Sequence, residues 1–333
     1  MGNKATPPRS FNTIRRSPTK VRAQRRRTQN VLLLAMFATV ALILVALLVL
    51  GVFAIANAII DARPAPDNGD NPPPSSNNIT FVPTTKIADA IHSGNLILVN
   101  AENRYTFPAG VSLLRIYDNM AAKADGSTIY RPVSTDYKLE SETLQALNTM
   151  MYKYYELDED AYFAISSAYR TLEDQENLPN KDIQPGYSDH HTGYCVAIQY
   201  GDRSNLEADH WFYQNCYKYG FVVRYPEGKE SITGVSNYKH CFRYVGVAHA
   251  TYMYQNNLCM EEYLDLLKNS YSSAATRLTI SAADGFDYDV YYVAASDSEV
   301  TTIDVPTSDF AYTVSGDNRG GFIVTVKKPV PAA

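Results

Sequence analysis

Residues 31–60, VLLLAMFATVALILVALLVLGVFAIANAII, contain no charged side chain. A run of this length exceeds the roughly 20 apolar residues that cross a bilayer core, so it predicts a transmembrane anchor. The 30 residues before it hold nine Lys or Arg and no acid: Lys4, Arg9, Arg15, Arg16, Lys20, Arg22, Arg25, Arg26 and Arg27. With nine of the positive charges there, a chain of net charge −5 leaves −14 on the remainder. Basic residues ahead of the span place the amino terminus in the cytoplasm and the body outside the membrane. A basic tail alone would also suit nucleic acid, but its position against the apolar run assigns it to the membrane, and no nucleic-acid partner is expected. A cleaved signal peptide competes, with Ala56-Asn57-Ala58 as its processing site. Signal h-regions run only about 7–15 residues, which favours an uncleaved, single-pass anchor.

The anchor divides the chain. Residues 1–30 read as a cytoplasmic tail, and 61–78, DARPAPDNGDNPPPSSNN, as a solvated stalk with almost nothing to bury. Apolar periodicity returns at 79–270. LILVN (96–100) reads as a strand, and SETLQALNTMMYKYYEL (141–157) as a helix begun near Glu140 or Ser141, with Leu144, Leu147, Met150, Met151 and Tyr154 on one face. YFAISSAYR (162–170) runs from strand into loop. DHWFYQNCYKYG (209–220) reads as a helix capped by Asp209 and ended by Gly220. FVVRY (221–225) and CFRYVG (241–246) are buried strands, and 247–267 is helical with a break near Asn256-Asn257. After Ser270 short apolar-polar alternations recur about every ten residues, which predicts an all-β module over 271–333. The class is α+β: a small, mostly antiparallel sheet packed with helices, followed by that module. The four cysteines, Cys195, Cys216, Cys241 and Cys259, show no CxxC pair and indicate no disulfide framework.

Three segments concentrate polar groups: SAYRTLEDQ (167–175), PGYSDHHTGYCVAIQYG (185–201) and ITGVSNYKHCFRYVG (232–246). Their spacing and flanks resemble the S-G-Y-R, S-x-H-x-x-G-x-A-x-D and E-P-W-H-x-R-Y-V-G signatures of the VanY-type D-alanyl-D-alanine carboxypeptidases. These are zinc peptidases that trim peptidoglycan stem peptides in bacteria. The resemblance spans residues ~85–267, over half the chain. It implies a catalytic zinc with three protein ligands, a carboxylate base and an arginine that stabilises charge on the attacked carbonyl. Arg170 falls on the arginine position with Tyr169 beside it, Ser188 on the substrate-contacting serine, His190 on the first ligand and Gly193 on the glycine of its turn.

The remaining positions depart from the pattern. The ligand Asp falls on Ala197, the ligand His on Cys241 and the base Glu on Tyr238, whose ordinary pKa near ~10 makes it a poor proton acceptor at pH 7. The family's Trp falls on His240 and its Gly on Ala168. A one-residue slip would bring His240 to the ligand position but Asn237 to the base position. Cys195, two residues before Ala197, shares its face on a strand. Three arrangements stay open: a replacement set of His190, Cys195 and Cys241 with His191 nearby, a Cys195–Cys241 disulfide, or two ordinary buried thiols. Arg170 either grips a peptide carboxylate or holds its loop through a buried ion pair.

The expected activity is therefore that of an inactive, membrane-anchored relative that binds stem peptide or a cell-wall or divisome-type protein, with no cofactor. A zinc carboxypeptidase using His190, Cys195 and Cys241 is the alternative. A structural partner acting through the stalk and β module is a third.

Overall fold

The computed structural model describes residues 79–180, 182–200, 210–236, 238–307 and 310–328. The expected tail, anchor and stalk, and Asp209 as a cap, lie outside these residues. No helix among the described residues is long and apolar enough to cross a membrane. The strands in chain order are β1 (Phe81–Ile87), β2 (Leu113–Arg115), β3 (Tyr130–Pro132), β4 (Lys138–Glu140), β5 (Phe163–Ser167), β6 (Cys195–Tyr200), β7 (Phe221–Val223), β8 (Cys241–Tyr244), β9 (Leu278–Ser281), β10 (Asp287–Ala294), β11 (Val300–Pro306), β12 (Ala311–Gly316) and β13 (Gly321–Lys327).

The central sheet has the order β3-β5-β6-β8-β7, and only the β3–β5 pair is parallel. Alternation along β6 and β8 sorts their side chains into two chemistries. Val196, Ile198, Phe242 and Tyr244 enter the main apolar core, whereas Cys195 and Cys241 form a small separate cluster with Tyr225. Helix Ser141–Tyr155 covers the core face with Leu144, Leu147, Met150 and Met151. Its start is fixed by the Glu140 carboxylate, which accepts from the Glu142 and Thr143 backbone N–H groups. Helix Trp211–Asn215 is capped by His210, whose side chain accepts from the Phe212 N–H. A 3-10 turn, Cys216–Tyr219, continues it to Gly220 in the left-handed region, the expected stop. The break in the next helical stretch falls between helices Val247–Gln255 and Met260–Ser270, with Asn257 at φ 51°.

LILVN is buried as a strand would be, yet it joins no ladder. Its backbone groups are satisfied from elsewhere. Arg243 donates to the Asn95 and Ile97 carbonyls, Arg224 to Val99, and Asn318 Nδ2 to Leu98. The Leu98 N–H donates to the Asp317 carbonyl, and the Leu96 N–H to Ser315 Oγ. The expectation of a strand is corrected for that reason: apolar content identified a buried extended segment but not the partner of its hydrogen bonds.

The β-rich end forms a four-stranded antiparallel sheet in the order β12-β13-β10-β9, as the alternation predicts. Its core is not private. Leu278, Ile280, Val290, Tyr292 and Ile323 pack in one cluster with Leu96, Leu98, Met253, Met260, Leu264 and Leu267. Residues 81–87 pair with β11, Phe81 opposite Pro306 and Ile87 opposite Val300. Residues 77–333 constitute one compact unit, so residue 270 does not divide the core.

Candidate functional site

The register of β6 against β8 places Ala197 opposite Cys241 and leaves Cys195 diagonal to it. Diagonal neighbours on one face lie within reach of each other, and Cys195 and Cys241, Cα atoms 6.7 Å apart, are joined as a disulfide. No disulfide was called for by the cysteine spacing; the strand register makes this one. It closes a 46-residue interval, for which the chain-entropy estimate is about 4 kcal/mol of stabilisation. The buried thiols of Cys216 and Cys259 remain free.

His190 stands over this bridge from a 3-10 turn, Asp189–Thr192. Ser188 caps the turn, its Oγ accepting from the His190 N–H, and Gly193 ends it at φ 77°. A Cβ on Gly193 would lie 2.7 Å from Leu113 Cδ2, so both the backbone conformation and the space call for glycine. His190 Nε2 is 4.0 Å from Cys195 Sγ and 3.9 Å from Cys241 Sγ. Its Nδ1 is buried near the Ala168 backbone without completing a hydrogen bond of good geometry. Burial, followed by the charge of Arg170, holds the ring well below the ordinary histidine pKa, and His190 is neutral.

Arg170 flanks the cluster and is 9% exposed. Its guanidinium donates to Ser167 Oγ (3.0 and 2.8 Å) and to Gln175 Oε1 (2.7 Å), and lies 3.4 Å from Tyr238 Oη. Among the described residues no carboxylate comes within ion-pair distance of it. Its partners among the described residues are thus neutral, and of the two open readings the ion pair is not formed there. Tyr238, which the resemblance puts at the base position, is a half-buried phenol packed edge-on to Tyr225 and tilted against His240.

Ser188 is 1% exposed and caps the turn. Tyr169 is half-buried, with its N–H donated to the Lys138 carbonyl. His191 does not join the cluster. Its Nδ1 donates to the Arg170 carbonyl while Nε2 accepts from the Gly186 N–H, an arrangement that requires the neutral ring its burial also favours.

Beneath the turn lies a network that sequence reasoning passed over as scaffold. Asp189, 1% exposed, pairs with both Arg224 and Arg243, and Arg224 also pairs with Glu261 at 2.9 Å. Two cations and two anions balance inside the protein. Burial opposes the charge on Arg224, but Asp189 and Glu261 outweigh it and raise its pKa well above the usual guanidinium value. For Arg243 burial outweighs Asp189, and the pKa is lowered. A single arginine inside each of two apolar strands, FVVRY and CFRYV, was the available signal, because a buried guanidinium requires a partner.

A zinc ion needs donors with free electron pairs, normally thiolate, imidazole or carboxylate. His190, Cys195 and Cys241 have ligand atoms all within 4.8 Å of one another. With its sulfurs bonded to each other, the cluster offers one imidazole nitrogen and no thiolate, and Ala197 supplies nothing. The disulfide form does not fit the ion. A cavity of about 150 Å³ adjoins the cluster through Tyr225 and Val235 and reaches Gln184 and Tyr187.

Residues 136–247 match the family model described as VanY, D-alanyl-D-alanine carboxypeptidase. The chain is 29% identical over 252 residues to a D-alanyl-D-alanine carboxypeptidase of Enterococcus faecium, covering 72% of this chain and 77% of that protein. A second relative, the D-alanyl-D-alanine carboxypeptidase of Enterococcus faecalis, is 34% identical over 131 residues, covering 32% of this chain and 49% of that protein. The fold is similar to that of the vancomycin-resistance D,D-dipeptidase VanXYg, solved in complex with a D-Ala-D-Ala phosphinate analogue. The match has a TM-score of 0.62 and 24% identity, and covers 75% of this chain and all of that one.

Proposed function

We propose that this chain, whose residues 136–247 match the VanY family model, is an inactive relative of the D-alanyl-D-alanine carboxypeptidases that binds peptidoglycan stem peptide or a wall-associated partner. It works outside the membrane to which residues 31–60 tether it. The observation that carries the reading is the disulfide between Cys195 and Cys241, which lies where the ligand set would have to act. Ala197 and Tyr238 support it from either side, one lacking a lone pair and the other presenting a phenol in place of a carboxylate.

Recognition falls to Arg170. Its charge is held by neutral partners, and the 3.4 Å approach of Tyr238 Oη is long for a hydrogen bond. A peptide carboxylate that displaced this phenol would gain a charge-assisted pair with a desolvated guanidinium. Stem peptides ending in D-Ala present such a carboxylate.

The test compares the natural chain with Ala197→Asp/Tyr238→Glu/Cys241→His. The natural protein is expected to bind a D-Ala-D-Ala stem-peptide mimic by calorimetry, to lose that binding about tenfold or more in Arg170→Met, and to release no D-Ala. The triple variant is expected to gain zinc and measurable D-Ala release. Turnover by the natural chain with the disulfide intact would refute the reading.

A further inference from the structure

Two strand sulfurs and one imidazole nitrogen that has no competing partner meet in a buried pocket. The Cys195–Cys241 bridge lies under His190 Nε2, and all three residues are at most 3% exposed. We infer that His190, Cys195 and Cys241 form a redox-gated metal site, shut as the disulfide and open to a soft divalent cation of the zinc class as the dithiol. The inference rests on the preceding reading of the centre as closed and concerns what reopens it.

The imidazole already stands close to where a ligand is needed, and opening the site requires the two bonded sulfurs to separate. Tetrahedral coordination with Zn–S near 2.3 Å and Zn–N of 2.0–2.1 Å spaces the nitrogen and each sulfur about 3.6 Å apart. Here those separations are 3.9 and 4.0 Å before any metal is present. Burial among Tyr225, Val235 and Tyr238 keeps bulk water away. Two thiolates with a divalent cation make a set of no net charge, which a dry pocket tolerates. The set lacks the carboxylate that Ala197 replaced. Its sulfur-rich donors select zinc-like ions over calcium or magnesium.

The chemistry balances with a dithiol reductant. One reductant thiolate attacks Cys195 or Cys241 Sγ, the protein S–S bond breaks, and a mixed disulfide forms. The second reductant thiol resolves it, leaving two protein thiols and an oxidised reductant, so two electrons and two protons enter the protein. Cys195, Cys241 and His190 Nε2 would then hold the cation, each thiol giving up its proton on binding.

The test uses the full chain and cobalt(II), whose thiolate charge-transfer absorption reports sulfur ligation directly. Thiols counted in denaturant should rise from two to four of the four cysteines on reduction. The oxidised chain should show no such absorption. The reduced chain should bind one equivalent at least 100-fold more tightly, and zinc should displace it. Cys241→Ala should abolish the absorption, and His190→Ala should weaken binding at least tenfold. Equal cobalt binding by both redox forms, no thiolate absorption in the reduced chain, unchanged affinity in His190→Ala, or loss of near-UV circular dichroism on reduction would each overturn the inference. Stem-peptide binding is measured separately on the oxidised chain, so failure of the peptide reading leaves this result standing, and the reverse.

Discussion

Replacing Asp189 by Asn keeps the volume and removes the charge that two buried guanidiniums share. Arg224 retains Glu261, while Arg243 keeps only neutral acceptors: the carbonyls of Asn95, Ile97 and Tyr244 and the hydroxyl of Thr192. Breaking a buried pair so that one charge is orphaned costs about 3–5 kcal/mol. For a folded unit of this size each kcal/mol lowers Tm by about 2–4 °C, so Asp189→Asn should lower it by roughly 10 °C. Urea unfolding followed by near-UV circular dichroism measures the free energy. A second arm combines the substitution with Arg243→Met. Because the orphaned charge leaves with Arg243, the double variant should cost less than the sum of the single variants by at least about 1 kcal/mol. A loss below about 1 kcal/mol for Asp189→Asn, or strict additivity in the cycle, would show that the network does not hold the His190 turn as described.

Two further outcomes follow from the same core. His249 is fully buried between Tyr263 Oη and Thr325 Oγ1, and burial lowers its pKa to about 3. The unfolded chain takes up the proton near pH 6.5 and the folded chain does not. This contribution is therefore complete above pH 6.5 and is lost as pH falls towards 3, reaching about 2.7 kcal/mol at pH 4.5. Urea unfolding from pH 7 to 4.5 should show His249→Gln flattening the acid loss by that amount, and parallel curves would contradict it. Deleting residues 271–333 should abolish the cooperative fold, because Leu278, Ile280, Val290, Tyr292 and Ile323 complete the cluster around Leu96 and Met260. A protease-resistant truncated protein with native near-UV circular dichroism would refute the shared core.

How much of this could be read beforehand depended on whether a feature is local. Helix Ser141–Tyr155, its Glu140 cap, the Gly220 stop and the β-rich end follow from neighbours in the chain, and periodicity reveals them. Segment 96–100 was legible as buried but not as unladdered, because its hydrogen bonds go to Arg224, Arg243 and the turn at 315–318, more than a hundred residues away. At the site, the departures of Ala197 and Tyr238 from the signature residues were visible by position. The fate of the sulfurs was not. Cys195 and Cys241 share a face only if β6 and β8 pair with Ala197 opposite Cys241; a slip of one residue would turn the second sulfur to the other side. Arg243 stands opposite Cys195 in that same register, on the face that carries its guanidinium to Asp189. Asp189 in turn belongs to the short turn that presents His190 to the bridge. One pairing choice therefore determines both the disulfide and the ionic support beneath it, which is why neither could be separated from its alternatives by spacing alone.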